Sequence, residues 1–376
     1  VLGGAPCGYV HSSVGARIFI YGVSPLGAGG ARPRPLVRGR GAAPSRPTYG
    51  RRSMDTAAWY RWFAENEAAG SSPSYERLAH GIADDPSVVR WLEQLPAAKR
   101  QPNLLFATAR YLGGPTDTDG FFEFVRDRHD DLTTAMSVRS TQTNEAARCA
   151  AFVPELAELE APVALIEVGA SAGLCLFPDR YAYRFDDARL GDSPLEICVD
   201  TGGSVPAPTS LPTAVWRRGL DLDPLDLTSE DDLAWLRACI WPEHEERRRR
   251  LDLAAELVAN DPPRIDRGDL RIATRDLLDA APRDAVKVVF HSAVLAYLDD
   301  AGRREFTDVM RRTLDERDDV VWLSNEGPSI VALDPLRTEP AGAPSTGAHF
   351  RLGRDGTELL AITDPHGRWL RWQPPG

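Results

Sequence analysis

Between Val163 and Leu176 the chain reads VALIEVGASAGLCL, and this stretch limits its folding choices more than any other. Val163 to Val168 has the length and apolar character of a parallel strand buried on both faces. Glu167 stands near its end. Gly169, Ala170, Ser171, Ala172 and Gly173 follow, all small, and Leu174 to Phe177 turn apolar again as the start of a helix would. A strand, a tight turn and a helix form the unit that brings backbone N–H groups and a helix N-terminus to a nucleotide-like ligand. Small residues are needed there because a Cβ would hold the ligand off the backbone. A turn that only packs a helix on a sheet has the same composition.

The remaining segments extend this into an α/β fold. Residues 54–158 read as a helical cap region. DTAAWYRWFAENEAAG opens on Asp55 as an N-cap and closes at Gly70, and the helices after it open on Pro or end at Gly. Residues 159–376 read as a Rossmann-like domain. PDRYAYRFDD and LEICVD form an extended insertion. AVWRRGLD is a strand ending at Asp221, RID leads into Gly268-Asp269, and Val286 to Phe290 is a strongly apolar strand that runs into His291 and Ser292. Val320 to Ser324 is a fifth strand with Asn325 and Glu326 at its end. HFRLGRDGTELLAITDPHGRWLRW alternates and turns twice, an antiparallel meander. In open parallel sheets ligands lie outside the carboxyl ends of strands, which puts all these end residues on one rim.

EVGASAG resembles the first motif of class I S-adenosylmethionine-dependent methyltransferases, Glu/Asp-x-Gly-x-Gly-x-Gly, with Ser171 in the place of the middle glycine. TQTNEAARCA, LIEVGASAGL, DRYAYRF, GLDLDPLD and VVFHSAVLAYL also resemble the bacterial DUF2332 family, from about Trp59 to the C-terminus; that likeness brings no activity with it. The methyltransferase resemblance implies a seven-stranded, mostly parallel sheet with an antiparallel C-terminal hairpin and S-adenosylmethionine as cofactor. It implies that Glu167, Gly169, Ser171 and Gly173 hold the methionine and ribose parts. It gives Asp221 to the ribose hydroxyls, with Asp223 second, and Asp269 to the adenine amino group. A carboxylate suits a diol because it offers acceptors only. Asp221 lies about 50 residues after Gly169, where roughly 20 is usual, so Asp186 and Asp187 are rivals. Asp-Leu-Asp-Pro is also good turn chemistry.

RSTQTNEAAR, just before the first strand, is a polar decade. Read as a helix it is a solvated face. Read as a neighbour of the small-residue turn, it brings Arg139, Gln142, Asn144, Glu145 or Arg148 to the cofactor carboxylate or the substrate. Ser292 and Asn325 join them at the strand ends. His291 is the expected catalytic base, since its intrinsic pKa lies near neutrality, with a buried structural histidine as the other reading and Tyr297 as a weaker candidate.

Composition bounds the rest. The net charge is −11 over 376 residues, yet the first 53 hold eight arginines and no acid. Those residues read as a disordered extension ahead of a start at Met54. The body then carries 36 basic against 55 acidic residues, which disfavours nucleic-acid backbones as partners. No apolar run of membrane-spanning length occurs. Cys7, Cys149, Cys175, Cys198 and Cys239 are scattered and form no C-x-x-C pair, which predicts reduced thiols and a cytoplasmic protein. Arg247 to Arg250 lie among acids at helical spacing and read as a solvated, ion-paired face. His244 lacks a second histidine at helical offset, so no metal site is expected. The expected function is methyl transfer to a small molecule or protein. A non-catalytic nucleotide-binding protein and an NAD(P)-dependent oxidoreductase are the alternatives.

Overall fold

The computed structural model describes residues 55–205, 208–330 and 349–373. The arginine-rich extension and Met54 lie outside the described residues.

The chain begins with helices: α1 (Thr56–Phe63), α2 (Pro73–Asp84), α3 (Pro86–Leu92), α4 (Pro102–Tyr111), α5 (Thr118–Asp127) and α6 (His129–Val138). Local chemistry starts them. Asp55, Ser72, Asp85 and Asp117 each accept from a backbone N–H of the first turn, and Pro73, Pro86 and Pro102 stand where a helix needs no donor. Their inward faces make an aromatic core around Tyr60, Phe63, Tyr75 and Phe106, in which Tyr75 and Phe106 stack at 4.5 Å. Helix α7 (Cys149–Ala157) packs instead on the sheet.

Strand β1 (Val163–Val168) is buried along its whole length. Next come β2 (Ala182–Phe185), β3 (Ala188–Leu190) and β4 (Glu196–Val199), a separate three-stranded sheet of order β3-β2-β4. Then follow β5 (Ala214–Asp221), α8 (Glu230–Cys239), α9 (Glu245–Val258), β6 (Ile265–Arg267), α10 (Leu270–Ala280), β7 (Val286–Ser292), α11 (Asp300–Glu316) and β8 (Val320–Glu326). The chain closes with β9 (Phe350–Arg354), β10 (Glu358–Thr363) and β11 (Leu370–Trp372). The main sheet has the order β11-β10-β9-β8-β7-β1-β5-β6. From β6 to β8 every neighbour is parallel, and β9, β10 and β11 are added antiparallel. The parallel part therefore runs 3-2-1-4-5 in order of appearance, the doubly wound arrangement. Its order reverses between β1 and β7, so the ligand crevice belongs at their carboxyl ends. One sheet face, with Leu165, Val288 and Leu323, packs on Phe152 of α7 and Tyr183 of the small sheet; the other, with Ile166, Val289 and Trp322, packs on Leu277, Phe306 and Met310 of α10 and α11.

Several findings differ from expectation. The main sheet has eight strands rather than seven, because β11 extends the closing hairpin into a three-stranded meander. No α-helix follows β1: Leu174–Leu176 is a single 3₁₀ turn, and Pro178 supplies no N–H to continue it. Residues 139–145 are extended rather than helical, with Asn144 and Glu145 bonded sideways to other segments. Arg247 and Arg250 are not a solvated pair: three positions apart, they turn inward and share the buried Glu145. Of the cysteines, Cys149, Cys175 and Cys239 are free thiols, whereas Cys198 is disulfide-bonded. Among the described residues no helix is long and apolar enough to cross a membrane.

Candidate active site

A cavity of about 270 Å³ opens where the carboxyl ends of β1, β5, β6 and β7 converge. Each strand brings its end residues to it: Gly169 and Ser171 after β1, Leu220 to Asp223 at β5, Gly268 to Leu270 after β6, and Ser292 to Val294 at β7. Residues 140–143 cross it from the cap side, joined by Gln101, Arg148, Tyr297 and Leu298.

The small-residue turn is shaped by close approach. Gly169 has φ +73, and a Cβ there would lie 2.3 Å from Val294 Cγ2. Only a residue without a side chain lets β1 and the segment after β7 meet this closely. Ser171 is left-handed as well, at φ +54. Its N–H donates to Asp221 Oδ2 at 2.8 Å, and Asp223 N donates to Asp221 Oδ1 at 2.8 Å. The carboxylate at the end of β5 thus clasps the turn of β1, across about 50 residues of sequence. Ser171 lines this cavity, and its Oγ is buried and without a hydrogen-bond partner. Buried hydroxyls are rarely left so.

Across the crevice Ala293 has φ +64. Backbone held in that region costs of order 1–3 kcal/mol for a non-glycine residue and persists where the surroundings enforce it. Ala293 N donates to Asn325 O at 3.1 Å. Glu326 Oε1 accepts from Val294 N at 2.9 Å, Leu295 N at 3.1 Å and His291 Nδ1 at 2.7 Å. The other His291 nitrogen, Nε2, accepts from Trp322 Nε1 at 3.1 Å. His291 is fully buried and does not line the cavity. With both nitrogens engaged, His291 holds Glu326 and, through it, the wall of the crevice. Ser292 does line the cavity. Asn325 stands behind it, donating Nδ2 to Ser292 Oγ at 3.2 Å and accepting from Thr363 at 2.8 Å.

The segment before β1 is a strap. Lys99 Nζ donates to Arg139 O at 2.6 Å and Trp235 Nε1 to Ser140 O at 3.1 Å. Gln142 donates to Asp223 O at 3.2 Å; Asn144 donates to Ala170 O at 2.9 Å and accepts from Leu174 N at 3.2 Å. Gln142 and Arg148 face the cavity, and Arg148 donates to Pro365 O at 2.9 Å and Ser292 O at 3.4 Å. Arg139 does not: it lies over the rings of Tyr111 and Trp235 and pairs with Asp231. Glu145 is buried under α9. Burial pushes its carboxyl up, but Arg250 and Arg247 outweigh that and hold it below the usual range. Asn144 and Glu145 therefore position the strap rather than reach the cavity.

Glu167 lies behind the turn. Its Oε2 is buried without a partner, and burial, reinforced by Cys175 and Asp221, pushes its carboxyl well above the usual range. Gly173 turns away to pack on Pro263. Asp269 lines the cavity while capping α10, and its bonds to Arg271 hold it below the usual carboxylate range. Asp186 accepts from Thr201 and Gly203 in the small sheet, outside the cavity, so of the two spacings it is the longer that reaches the turn. Sequence reasoning does not single out Gln101, Leu222 or Val294. Leu222 carries a signal, its place directly after a strand-end acid; Gln101 carries none.

Compared with known proteins, residues 57–372 match the family model described as an uncharacterized protein conserved in bacteria, DUF2332, and the chain belongs to that family. No curated protein matches. Among solved structures, that of the mitomycin 7-O-methyltransferase MmcR is similar with a TM-score of 0.23 and 16% identity, over 72% of this chain and 57% of that one.

Proposed function

We propose that this DUF2332 protein binds S-adenosylmethionine in the strand-end cavity and transfers its methyl group to an acceptor. The observation that carries the reading is Ser171, a left-handed residue that lines a cavity on which four parallel strands converge and whose buried Oγ has no partner. A second observation selects among nucleotides. Dinucleotides rest their pyrophosphate on the N-terminus of the helix after the first strand. Here a three-residue 3₁₀ turn takes that place, so no α-helix N-terminus follows β1 to receive a diphosphate. A nucleoside without phosphate fits this turn better than NAD or NADP does.

In this reading Asp221 faces the ribose hydroxyls with the acceptor capacity left after its two backbone bonds, and Asp269 faces the adenine edge. Arg148 takes the cofactor carboxylate, and Ser171 donates to the same ligand. When bound, the cofactor supplies an electrophilic methyl on a sulfonium. The protein's own part is to orient: the strap and the Ala293 wall fix where an acceptor can stand, and such alignment carries much of the barrier reduction.

Calorimetric titration with S-adenosylmethionine, S-adenosylhomocysteine, NAD and NADP tests this. The first two are expected to bind and the nicotinamide nucleotides not. Ser171→Ala removes an unpaired hydroxyl, so it is expected to leave the unfolding midpoint unchanged or raised. It should cost the nucleoside ligands about 0.5–1.5 kcal/mol, the net worth of one hydrogen bond. Tight binding of NAD or NADP alone would end the reading.

A further inference from the structure

The strap has no backbone ladder of its own. Among the described residues, 140–144 form no backbone–backbone hydrogen bond, yet the strap is fixed firmly at both ends. Before it, Arg139 lies over the rings of Tyr111 and Trp235 and pairs with Asp231, and its carbonyl accepts from Lys99. After it, Asn144 bonds Ala170 O and Leu174 N, and Glu145 holds Arg247 and Arg250. Ser140, Thr141, Gln142 and Thr143 span the interval, and all of them line the cavity. A partly exposed span without backbone bonds belongs to the low-stability end of a structure, from which lids are drawn.

The cap supplies most of what steadies this span. Ser140 O accepts from Trp235 Nε1 at 3.1 Å, Thr141 Oγ1 donates to Gln101 Oε1 at 3.5 Å, and the Gln142 N–H faces the Cys239 sulfur. Trp235 and Cys239, both of α8, pack with the aromatic core of the cap helices. Among the described residues, one hydrogen bond of the span crosses to the sheet: Gln142 Nε2 donates to Asp223 O, just beyond the end of β5, at 3.2 Å. Both partners line the cavity. The rim they join is the outer one. Ser140 and Thr143 on the span and Leu222 beside Asp223 are exposed lining residues, whereas Arg148, Ser171 and Leu220 line the buried interior.

We propose that the Gln142–Asp223 bond is the latch of this cavity, and that the nucleoside enters and leaves when the bond breaks and residues 140–143 lift off the end of β5. Arg139 and Asn144 are the fixed points of that movement. The latch joins two protein groups, so it acts on the free and the loaded protein alike. Its removal speeds entry and exit together and leaves the affinity nearly unchanged. A fixed wall behaves otherwise: loss of a wall contact acts mainly on exit.

The proposal rests on the nucleoside reading, which supplies the probe. Binding of S-adenosylhomocysteine to the full chain is followed by stopped-flow tryptophan fluorescence, with Trp235 bonded to the span as reporter. Gln142→Ala is expected to raise the association and dissociation rate constants each about two- to tenfold, the worth of one uncharged hydrogen bond, with Kd held within about twofold. Gln142→Glu keeps the shape of the side chain but loses its donor, so it should do the same, and it serves if the alanine variant does not fold. An association rate that stays at the wild-type value in the folded variants, whatever happens to dissociation, overturns the latch while the cofactor reading stands. Failure of S-adenosylhomocysteine to bind the unaltered protein overturns both.

Discussion

The contact between Gly169 and Val294 is the joint on which the crevice closes, and replacing the glycine by alanine measures it. Two costs are separable. Alanine at φ +73 incurs the left-handed penalty, about 1–2 kcal/mol. The new Cβ also falls 2.3 Å and 2.6 Å from the two Val294 methyls, an overpacking of the kind that costs about 1–3 kcal/mol. The sum is about 2–5 kcal/mol. Gly113 provides the control: its φ is +84, and a Cβ there meets nothing within 4 Å. Gly113→Ala should therefore show the dihedral cost alone. Urea unfolding of the two variants, compared at the midpoint, gives the contribution of the overlap as their difference. Val294→Ala in the Gly169→Ala background should recover part of it, a favourable coupling in a double-mutant cycle. Because the methyls push the turn rather than the cap, S-adenosylhomocysteine affinity should fall in Gly169→Ala and hold in Gly113→Ala. Equal midpoints for the two alanine variants would refute the joint.

Two further outcomes concern buried carboxyls on either side of the turn. Glu145→Gln leaves Arg247 and Arg250 without their shared anion, at a cost of about 3–5 kcal/mol near neutral pH. Since Glu145 is held below its ordinary value of 4.5, its contribution is complete above that value and is lost as pH falls through the lower native value. The gap between wild type and variant, read from urea midpoints across pH, should close in acid, and a constant gap would count against the pairing. Glu167 has the opposite sign. Its native carboxyl is raised well above 4.5, so the folded protein keeps a proton that the unfolded chain has lost, and stability declines as pH rises between the two values. Glu167→Gln should remove that decline, making the variant the more stable protein at pH 8 and no better near pH 4; identical pH slopes would refute it.

The parallel half of the fold is legible because its strands announce themselves locally. Val163 to Val168, Val286 to Phe290 and Val320 to Ser324 are apolar runs with no competing period, and all three are strands at the centre of the sheet. Asp355-Gly356 marks a hairpin by its chemistry, and both residues take positive φ there. The helix expected after β1 fails for an equally local reason. Four apolar residues look like a first turn, yet Gly173 at φ +73 and Pro178 leave room for only one 3₁₀ turn before β2. The edge strand β11 has three residues, too few for any period to show.

The site divides along a different line, between residues fixed by their own strand and residues fixed by another. Asp221 and Asp269 belong to the first group: an acid at the end of a parallel strand reaches the rim wherever the strand ends, and both line the cavity. The long spacing from Gly169 misleads only if spacing is taken to measure distance. The intervening residues fold as the small sheet of β2, β3 and β4, and Asp221 returns to bond Ser171 directly. His291 belongs to the second group. It directly precedes Ser292, which reaches the cavity, and strand alternation sends the two to opposite faces. Which face is sealed depends on Trp322 and Glu326, more than thirty positions later in the chain. A strand-end histidine therefore advertises a base and a buried strut equally well, and only the neighbour strand's residues decide between them. The same holds for Arg247 and Arg250, whose inward turn exists because Glu145, about a hundred residues earlier, is buried at the place they reach. Chemistry carried by one segment can be read from that segment; chemistry made by two segments needs their register, and the register comes from the packing of the whole sheet.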